Sequence, residues 1–302
     1  MSHPNGQTPT RALESEPAGA ASLHDRSMGD LLRKACGLSQ DEVSQIAAYQ
    51  QESGMRFGQA AVALKLASDD DVLWALSQQF HYPYTPQGRS DRYPELVAAA
   101  DPFSPEAEVF RDLCSQVSMN HGSGLNGRSP LALSVVSPNV GDGKTFLAAN
   151  LAVAFSQVGG RTLLVDADMR TPRQHSVFGV SSAVGLSTVL AGRAEANVIQ
   201  TVPDLPSLFV MPVGSVPPNP MELLQRPAFA LLMQELLSKF DHVVVDTPAF
   251  TRGADARVIA ARCGASIAVG RQGTTRMDAM DKVIGAMNSG RSRLAGVVMN
   301  AH

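Results

Sequence analysis

One stretch of this sequence combines glycines, a lysine and a threonine in an order that suits phosphate binding. Residues 137–145 are SPNVGDGKT, between a run of apolar residues and a helical pattern. Gly141 and Gly143 allow backbone N–H groups to turn towards phosphate oxygens, and the N-terminus of the following helix adds positive potential. Lys144 can reach the β- and γ-phosphates of a nucleotide, and the Thr145 hydroxyl can bind Mg²⁺. The loop has proline where the commonest form of this motif has its first glycine.

Two further stretches place carboxylates where apolar strands end. Residues 163–172 are LLVDADMRTP, which puts Asp166 and Asp168 after one strand, and residues 243–248 are VVVDTP, which puts Asp246 after another. The carboxyl ends of strands line the ligand crevice of a parallel sheet. Paired carboxylates beside a triphosphate suit Mg²⁺ coordination or general-base catalysis. The three stretches predict Mg²⁺-dependent nucleotide hydrolysis or phosphoryl transfer.

From residue 130 onward, the sequence alternates between short apolar runs and helical patterns. The apolar runs are 131–136, 161–165, 208–213, 242–245, 265–269 and 296–299, and the helical stretches are 144–157, 228–239, 254–262 and 277–288. Unbroken apolar strands that alternate with helices are typical of a parallel sheet covered on both faces. A further helix is predicted to begin at Ser104 and Pro105, where a capping serine precedes a proline. We therefore predict a three-layer α/β P-loop domain over residues 104–302.

The residues ahead of that domain differ in character. Residues 1–25 are rich in Pro, Ala, Ser, Glu and Thr and lack apolar periodicity, which predicts a disordered tail. Residues 26–86 contain two copies of a weak repeat, with Gly29 recurring as Gly58, and each copy predicts a short helix followed by a longer one. A small all-α domain is expected there. Residues 87–103, with prolines, a glycine and several charges, are predicted to be a linker.

Composition narrows the classes of function. The chain has 302 residues, 25 Lys and Arg against 28 Asp and Glu, and a net charge of −3, which argues against a basic nucleic-acid-binding protein. Cys36, Cys114 and Cys263 lie far apart, which argues against a disulfide framework or a zinc finger and suits a reducing compartment. The sequence has no apolar run of about 18 residues and no signal-peptide pattern at its start, so a cytoplasmic protein is expected.

The motifs around the three aspartates resemble those of the bacterial tyrosine kinases. Members of that family belong to polysaccharide co-polymerase systems, which control the chain length of capsules and exopolysaccharides. The Asp-x-Asp-x-Arg spacing of Asp166, Asp168 and Arg170 is the most diagnostic part of the resemblance. The resemblance extends over residues 104–302, and the whole chain is most similar to the chain-length-determinant tyrosine kinases of exopolysaccharide gene clusters.

The resemblance implies Mg²⁺ and ATP as cofactors and assigns roles to particular residues. It implies that Asp166 accepts or orients the proton of a tyrosine hydroxyl. The implied catalytic set is Lys144, Asp166, Asp168, Arg170 and Asp246, and the implied Mg²⁺ ligands are Thr145, Asp168 and Asp246. The expected ATP-binding set is Val140, Gly141, Asp142, Gly143, Lys144, Thr145, Phe146, Arg271 and Asn300. Within that set, Arg271 is included for its position at the crevice edge.

Two features depart from the family pattern. Family members assemble rings through a Glu-x-x-Arg-x-x-Arg motif. Here Glu108 and Arg111 are followed by Cys114 in place of the last arginine. A homo-oligomer is expected, either as that ring without its usual salt bridges or in another arrangement. The family's C-terminal tyrosine cluster is missing, and all four tyrosines precede the predicted core. Either the acceptor is Tyr82 or Tyr84, or the substrate is another protein, or ATP-driven assembly is the main activity.

The N-terminal repeat resembles the domain at the front of type II secretion and pilus ATPases. Some of those domains bind cyclic di-GMP through Arg-Leu-Gly-like motifs. The second copy has Arg56 before Phe57 and Gly58, but the first copy has Ser27 at the position of that arginine. A protein-docking module is therefore favoured over a nucleotide-binding one.

The predicted function is an ATP-dependent protein tyrosine autokinase that regulates exopolysaccharide chain length, polymerisation and export. Its expected partner is a membrane-embedded chain-length determinant, which would hold it at the inner face of the plasma membrane. One alternative is a deviant-Walker assembly or positioning ATPase of the partitioning class. Those proteins carry an extra lysine early in the loop, which this loop lacks. The other alternative is a non-catalytic regulatory subunit that binds ATP.

Overall fold

The computed structural model describes residues 27–79, 93–121, 131–193, 197–203 and 205–301. The chain divides into two compact units, Met1–Phe80 and His81–His302. The predicted disordered tail, residues 1–25, lies outside the described residues. Among the helices that are described, none combines the length and the apolar character that a membrane span requires.

The first unit contains two similar helix pairs among its described residues. Its helices are α1 (Met28–Cys36), α2 (Gln40–Ser53), α3 (Phe57–Ala63) and α4 (Asp69–Gln79). Ser39 precedes α2 and its hydroxyl accepts a hydrogen bond from the backbone N–H of Glu42, whose carboxylate accepts one from the N–H of Ser39. Ser68 and Asp71 repeat the same exchange at the start of α4. The longer helix of each copy therefore begins with the same capping exchange.

The two copies are also equivalent in their packing. A Cβ atom at Gly58 would lie 2.5 Å from Cγ1 of Val72, and a Cβ atom at Gly29 would lie 3.3 Å from Cγ1 of Val43. In each copy the glycine therefore lets the short helix approach a valine of the longer helix closely. The buried core of this unit comprises Leu31, Leu32, Leu38, Ile46, Ala60, Ala61 and Ala75.

A seven-stranded sheet organises the described part of the second unit, and its strand order is β3-β4-β2-β5-β1-β6-β7. The strands are β1 (Leu131–Val136), β2 (Thr162–Asp166), β3 (Gln200–Val202), β4 (Leu205–Met211), β5 (His242–Asp246), β6 (Ala265–Arg271) and β7 (Arg293–Asn300). Only the edge strand β3 is antiparallel to its neighbour. The carboxyl ends of the six parallel strands therefore meet at one edge of the sheet, as the sequence predicts.

Helices cover both faces of this sheet. They are α5 (Val97–Ala100), α6 (Pro105–His121), α7 (Lys144–Val158), α8 (Gln174–Phe178), α9 (Leu186–Leu190), α10 (Pro220–Gln225), α11 (Pro227–Lys239), α12 (Asp255–Cys263) and α13 (Met277–Asn288). Along β5, Val243 and Val245 join the apolar cluster that contains Phe229 of α11, whereas Val244 joins the cluster that contains Phe155 of α7. Because successive strand residues face opposite sides, these two clusters form the two halves of a three-layer core. The predicted α/β P-loop fold is confirmed.

The described part of the predicted linker over 87–103 packs as part of this second unit. Leu96 is fully buried, and the backbone N–H of Ala98 donates to Oδ1 of Asn150 at 3.1 Å. The amide Nε2 of Gln157 donates to the carbonyl of Ala98 at 2.7 Å. Both amide side chains lie on α7, so they hold α5 against that helix. The prediction of a linker is therefore wrong for residues 93–103, because a short apolar run among prolines and charges is sufficient to pack there.

Several short elements gave no recognisable pattern in the sequence. The predicted long helices correspond to α6, α7, α11, α12 and α13 within a few residues. In contrast, β3 has three residues, and α8 and α9 have five each. Elements of that length are too short to show a hydrophobic period. One of them, α8, nevertheless lies at the centre of the site.

Candidate nucleotide-binding and catalytic site

The phosphate-loop sequence forms a tight turn between β1 and α7. Gly141 and Gly143 have φ angles of 87° and 103°, values that side-chain-bearing residues rarely adopt. A Cβ atom at Gly143 would also lie 2.4 Å from Nδ2 of Asn300. The glycines are therefore required by backbone conformation and, at Gly143, by the close approach of the last strand.

Lys144 is buried at the first position of α7 with its ammonium turned back to the loop. Its Nζ donates to Oγ of Ser137 at 3.1 Å and lies 3.4 Å from the carbonyl oxygen of Asn139. Burial lowers the pKa of Lys144, and nearby carboxylates, Asp246 first among them, oppose that shift. The loop thus holds a desolvated positive charge beside the acidic groups of the site.

Asp142 braces the phosphate loop from within the protein. Its Oδ2 accepts the backbone N–H of Asn139 at 2.7 Å, and its Oδ1 accepts the Thr275 hydroxyl at 2.7 Å. The Thr275 hydroxyl in turn accepts the backbone N–H of Arg271 at 2.7 Å. These three bonds connect the phosphate loop to the turn that follows β6, and Asp142, which the resemblance places in the ATP-binding set, is itself buried.

We expect Thr275→Val to lower the free energy of unfolding by about 1–3 kcal/mol, because it removes the donor to a buried carboxylate oxygen of Asp142. ADP should also bind more weakly, since the phosphate loop loses its tie to the turn. Chemical denaturation and calorimetric titration with ADP measure the two effects. Thr274→Val is the matched control, because Thr274 is the exposed neighbour. Equal stability of the two variants would contradict this role of the brace.

The carboxylate of Asp166 is fully buried at the end of β2. Its Oδ2 accepts the backbone N–H groups of Arg173 and Gln174 at 3.1 and 3.0 Å, and its Oδ1 accepts the N–H of Asp168 at 3.2 Å. Burial raises the pKa of Asp166 well above its usual range, and the charge of Asp246 adds to the rise, while the backbone hydrogen bonds oppose it. The geometry therefore fixes the orientation of this carboxyl group and raises its proton affinity.

Asp168 organises the turn that follows β2. Its Oδ1 accepts the backbone N–H groups of Arg170 and Thr171 at 3.1 and 2.9 Å, and its Oδ2 accepts the Thr171 hydroxyl at 2.9 Å. An aspartate that accepts backbone bonds two and three residues ahead is a standard turn stabiliser. The turn holds this second carboxylate at the same sheet edge as Asp166.

Arg170, predicted to be catalytic, forms an ion pair with Asp255 in this structure. The Nε of Arg170 lies 2.6 Å from Oδ2 of Asp255 in the first turn of α12, and an NH2–Oδ1 contact of 3.3 Å completes a two-point pair. The Asp255 side chain is 2% exposed and the Arg170 side chain 33%. The pair joins the turn after β2 to α12, and Arg170 is the only cationic partner of Asp255 within the described part of the chain.

We expect Arg170→Met to lower the free energy of unfolding by about 2–4 kcal/mol, because it leaves the buried carboxylate of Asp255 without a counter-charge. Adding Asp255→Asn should restore most of that stability, since the buried charge is then gone. Denaturation of the single and double variants measures this, and nucleotide turnover is recorded in parallel. Recovery of turnover together with stability would mark Arg170 as a positioning residue. Persistent inactivity would support the catalytic role that the resemblance implies.

Asp246 ends β5 directly beside Asp166. The two residues are paired in the register of β2 and β5. Oδ2 of Asp246 accepts the amide Nε2 of Gln174 at 2.9 Å, whereas Oδ1 is buried and has no hydrogen-bond partner among the described residues. Burial raises the pKa of Asp246 to about 6, although the Thr145 hydroxyl, the charge of Lys144 and the Gln174 amide all act to lower it.

Gln174 is a component of the site that no sequence motif predicts. Its backbone N–H donates to Asp166, and its side-chain Nε2 donates to the carbonyl of Thr145 at 3.1 Å as well as to Asp246. Its Oε1 is buried without a hydrogen-bond partner in the described structure. A single glutamine outside any motif gives no signal in the sequence, because its role depends on contacts with residues distant along the chain.

Asn300 and Arg271 lie where β7 and β6 end. Nδ2 of Asn300 donates to the carbonyl of Asp142 at 3.3 Å, and the carbonyl of Asn300 accepts the N–H of Gln272 at 2.8 Å. Arg271 is exposed and is paired with Asn300 in the strand register. The structure therefore places both residues next to the phosphate loop, at the sheet edge where the sequence predicts a nucleotide.

The remaining predicted residues are divided between surface and core. Val140 is exposed at the tip of the phosphate loop, whereas the ring of Phe146 packs edge-on against Phe110 with 6.0 Å between centroids. The candidate acceptors Tyr82 and Tyr84 lie outside the described residues. The structure thus brings the loop, the lysine and the three aspartates together, and it uses Phe146 in packing.

Unsatisfied buried oxygens show whether these residues suit a Mg²⁺-bound nucleotide. Among the described residues, no group donates to Oδ1 of Asp246 or to Oε1 of Gln174, although both atoms are buried. An ion or a water is one common explanation of such atoms in native proteins. No group of three or more His, Cys, Asp or Glu in the described residues is arranged to hold a metal alone. Mg²⁺ in nucleotide sites is bound by one or two carboxylates with phosphates and water. The residues fit that shared mode of binding.

A glycine-rich loop between a strand and a helix, with carboxylates at the ends of adjacent parallel strands, defines a P-loop nucleotide-binding protein. Residues 133–302 match the model of the CobQ/CobB/MinD/ParA nucleotide binding domain. Tyrosine-protein kinase YwqD of Bacillus subtilis (strain 168) is 31% identical over 205 residues, which are 68% of this chain and 85% of that protein. The chain therefore belongs to the CobQ/CobB/MinD/ParA nucleotide-binding family and, within it, to the bacterial tyrosine kinases.

Two further similarities define how much of other family members this chain spans. Tyrosine-protein kinase wzc of Salmonella typhimurium (strain LT2) is 31% identical over 207 residues, which are 68% of this chain but only 28% of that longer protein. The structure of the kinase domain of Escherichia coli tyrosine kinase ETK aligns with a TM-score of 0.63 and 29% identity, covering 68% of this chain and 79% of that one. Both similarities support the family and the fold.

Proposed function

We propose that this chain is a protein tyrosine kinase that transfers the γ-phosphoryl group of ATP to tyrosine. The observation that carries the proposal is the arrangement at the sheet edge, where Asp166 and Asp246 end neighbouring strands and the charges of Asp246 and Asp168 act on the buried Lys144. The paired register of Asp166 and Asp246 puts their carboxyl groups side by side. Phosphoryl transfer depends mainly on positioning and charge neutralisation, and this cluster supplies groups for both.

The proposed roles of the loop residues follow from their geometry. Backbone N–H groups around Gly141 and Gly143 bind phosphate oxygens, and Lys144 neutralises charge that develops on the transferred group. Thr145, Asp168 and Asp246 would hold Mg²⁺, directly or through water. The metal supplies neutralisation of phosphate charge when it is bound.

Asp166 is the proposed acceptor of the tyrosine hydroxyl proton. A carboxylate with a raised pKa is a stronger base than an ordinary one, and burial raises the pKa of Asp166 well above its usual range. The three backbone N–H groups that donate to its oxygens fix its direction. We propose that this fixed carboxyl group orients the incoming hydroxyl.

The biological setting is part of the same proposal. We propose that the kinase regulates the chain length, polymerisation and export of an exopolysaccharide with a membrane-embedded co-polymerase, at the cytoplasmic face of the membrane. The support is the naming of family members such as YwqD and wzc as tyrosine-protein kinases, together with the polysaccharide systems that the resemblance implies. A homo-oligomer and a docking role for residues 26–86 remain predictions, and titration with cyclic di-GMP tests the alternative role of that unit.

Phosphotyrosine mapping tests the proposed function. The purified chain is incubated with Mg²⁺ and ATP, with and without the cytoplasmic segment of its membrane partner, and modified peptides are identified by mass spectrometry. Phosphate on Tyr82, Tyr84 or a partner tyrosine, absent in Lys144→Met, is the expected result. ATP hydrolysis without phosphotyrosine would contradict the kinase and favour an assembly ATPase. ATP binding without hydrolysis would favour a regulatory subunit.

A further inference from the structure

Gln174 is the residue through which three parts of the site are connected. It is the first residue of α8 and is fully buried. Its backbone N–H bonds to Asp166 after β2, and its side chain bonds to Asp246 at the end of β5 and to the carbonyl of Thr145 on the phosphate-loop helix. One residue, through its backbone N–H and its side-chain amide, therefore contacts the elements that carry the lysine, the proposed base and the proposed metal carboxylate.

The hydrogen bonds of Gln174 leave the carboxylate of Asp246 asymmetric. The amide Nε2 donates to Oδ2 at 2.9 Å, whereas Oδ1 has no hydrogen-bond partner in the part of the chain that the structure describes. The same Nε2 also donates to the carbonyl of Thr145 at 3.1 Å, which fixes the position of the amide relative to α7. A carboxylate that is held by one oxygen cannot rotate freely, so its second oxygen keeps one direction.

We propose that Gln174 is a positioning residue that orients Asp246, keeping Oδ1 of that carboxylate available to the coordination shell of Mg²⁺. This inference rests on the proposed Mg²⁺-nucleotide site and adds a residue that no motif of the sequence includes. Groups that hydrogen-bond to metal-binding side chains fix their orientation, and losing such a group typically costs about 10- to 100-fold in metal affinity or activity.

A merely structural role for Gln174 would have different consequences. Loss of packing at a buried glutamine would weaken the fold and would weaken nucleotide binding with or without metal. Loss of orientation at Asp246 would weaken nucleotide binding only when Mg²⁺ is present. To separate these two effects, nucleotide affinity must be measured with Mg²⁺ and without it.

Calorimetric titration with ADP in the presence of Mg²⁺ and in the presence of EDTA provides that measurement. Gln174→Met keeps the length of the side chain and removes its donor. Gln174→Asn keeps an amide but shortens the side chain, so the donor no longer reaches Asp246, and it serves if the methionine variant fails to fold. Gln157→Met is the matched control. Gln157 lies at the far end of α7 and is a buried glutamine that donates to the backbone carbonyl of Ala98 on α5.

The expected result is a Mg²⁺-dependent increase in ADP affinity in the unsubstituted chain that falls about tenfold or more in the Gln174 variants. Affinity in EDTA should be unchanged, and Gln157→Met should keep the whole increase. An unchanged increase in the Gln174 variants, an equal loss in EDTA, or no increase in the unsubstituted chain would each overturn the inference. Absence of phosphotyrosine alongside the expected titrations would reject the kinase function and leave this inference standing.

Discussion

We expect Lys144→Met to reduce phosphoryl transfer and ATP hydrolysis by a factor of about 10² to 10³ or more, the range seen when a preorganised charge-stabilising donor is removed. The ammonium of Lys144 is buried and is held towards the phosphate loop by Ser137 and Asn139. Methionine has a similar length but no charge, so it leaves the developing phosphate charge without this partner. Release of phosphate from ATP and phosphotyrosine formation measure the loss.

The same substitution should not destabilise the fold. Burial lowers the pKa of Lys144 below that of a free lysine, which means that the folded state disfavours the charged form. Below the lowered pKa the lysine is charged in both states and its charge weakens the stability of the folded state, and methionine removes that cost. We therefore expect the midpoint of thermal unfolding at pH 7 to stay the same or rise.

A control lysine makes this result specific. Lys239 lies on α11 and pairs with Glu235 one helical turn away, with both side chains more than half exposed. Lys239→Met should leave turnover within about twofold, because an exposed pair of this kind contributes little. Retained turnover in Lys144→Met, or equal losses in the two variants, would contradict the assignment of the phosphate loop.

The parts of the site that the sequence predicts are those formed by residues close together in the chain. Gly143 and Lys144 occur in one motif, and Asp166 and Asp246 each end a recognisable apolar strand. Strand and helix patterns then place these motifs at one sheet edge without knowledge of side-chain contacts. The predicted cluster is therefore a consequence of topology, which a regular alternation of elements reveals.

The parts that could not be predicted depend on contacts between distant residues. The bond from Gln174 to Asp246 joins residues 72 apart in the chain, and the bond from Thr275 to Asp142 joins residues 133 apart. Neither glutamine nor threonine is unusual where it occurs. Only the register of β2 and β5 brings α8 against Asp246, so such contacts require the folded structure.

We expect Asp246→Asn to abolish turnover and to stabilise the metal-free protein. The carboxylate of Asp246 is fully buried and its pKa is raised from 3.8 to about 6. The amide of asparagine keeps an acceptor for Gln174 and carries no charge. The protein therefore loses a group proposed to bind the metal and, at the same time, loses a buried charge that the fold tolerates poorly.

The pH dependence follows from the direction of the shift. Because the folded pKa lies above the unfolded one, the folded state holds the proton more tightly, and ionisation of Asp246 weakens stability as the pH rises from about 4 to 6. Above pH 6 the loss of unfolding free energy is complete. It is on the order of 2–3 kcal/mol, because each unit of pKa corresponds to about 1.4 kcal/mol. Urea unfolding at pH 5 and 7.5 measures this. Asp246→Asn should exceed the unsubstituted chain in stability by less at pH 5 than at pH 7.5.

Asp241→Asn is the matched control, because Asp241 flanks the other end of β5 and accepts the backbone N–H of Arg161 at 2.7 Å. That variant should keep turnover and show no gain in stability at pH 7.5. Mg²⁺ and ADP should raise the unfolding temperature of the unsubstituted chain more than that of Asp246→Asn, since a cation beside the buried carboxylate offsets its charge. If Asp246→Asn proved less stable at pH 7.5, the carboxylate would be needed by the fold itself. Activity and stability would then depend on the same contacts of this residue. Oδ1 of Asp246 has no hydrogen-bond partner among the described residues, so we expect the buried charge to serve activity at a cost in stability.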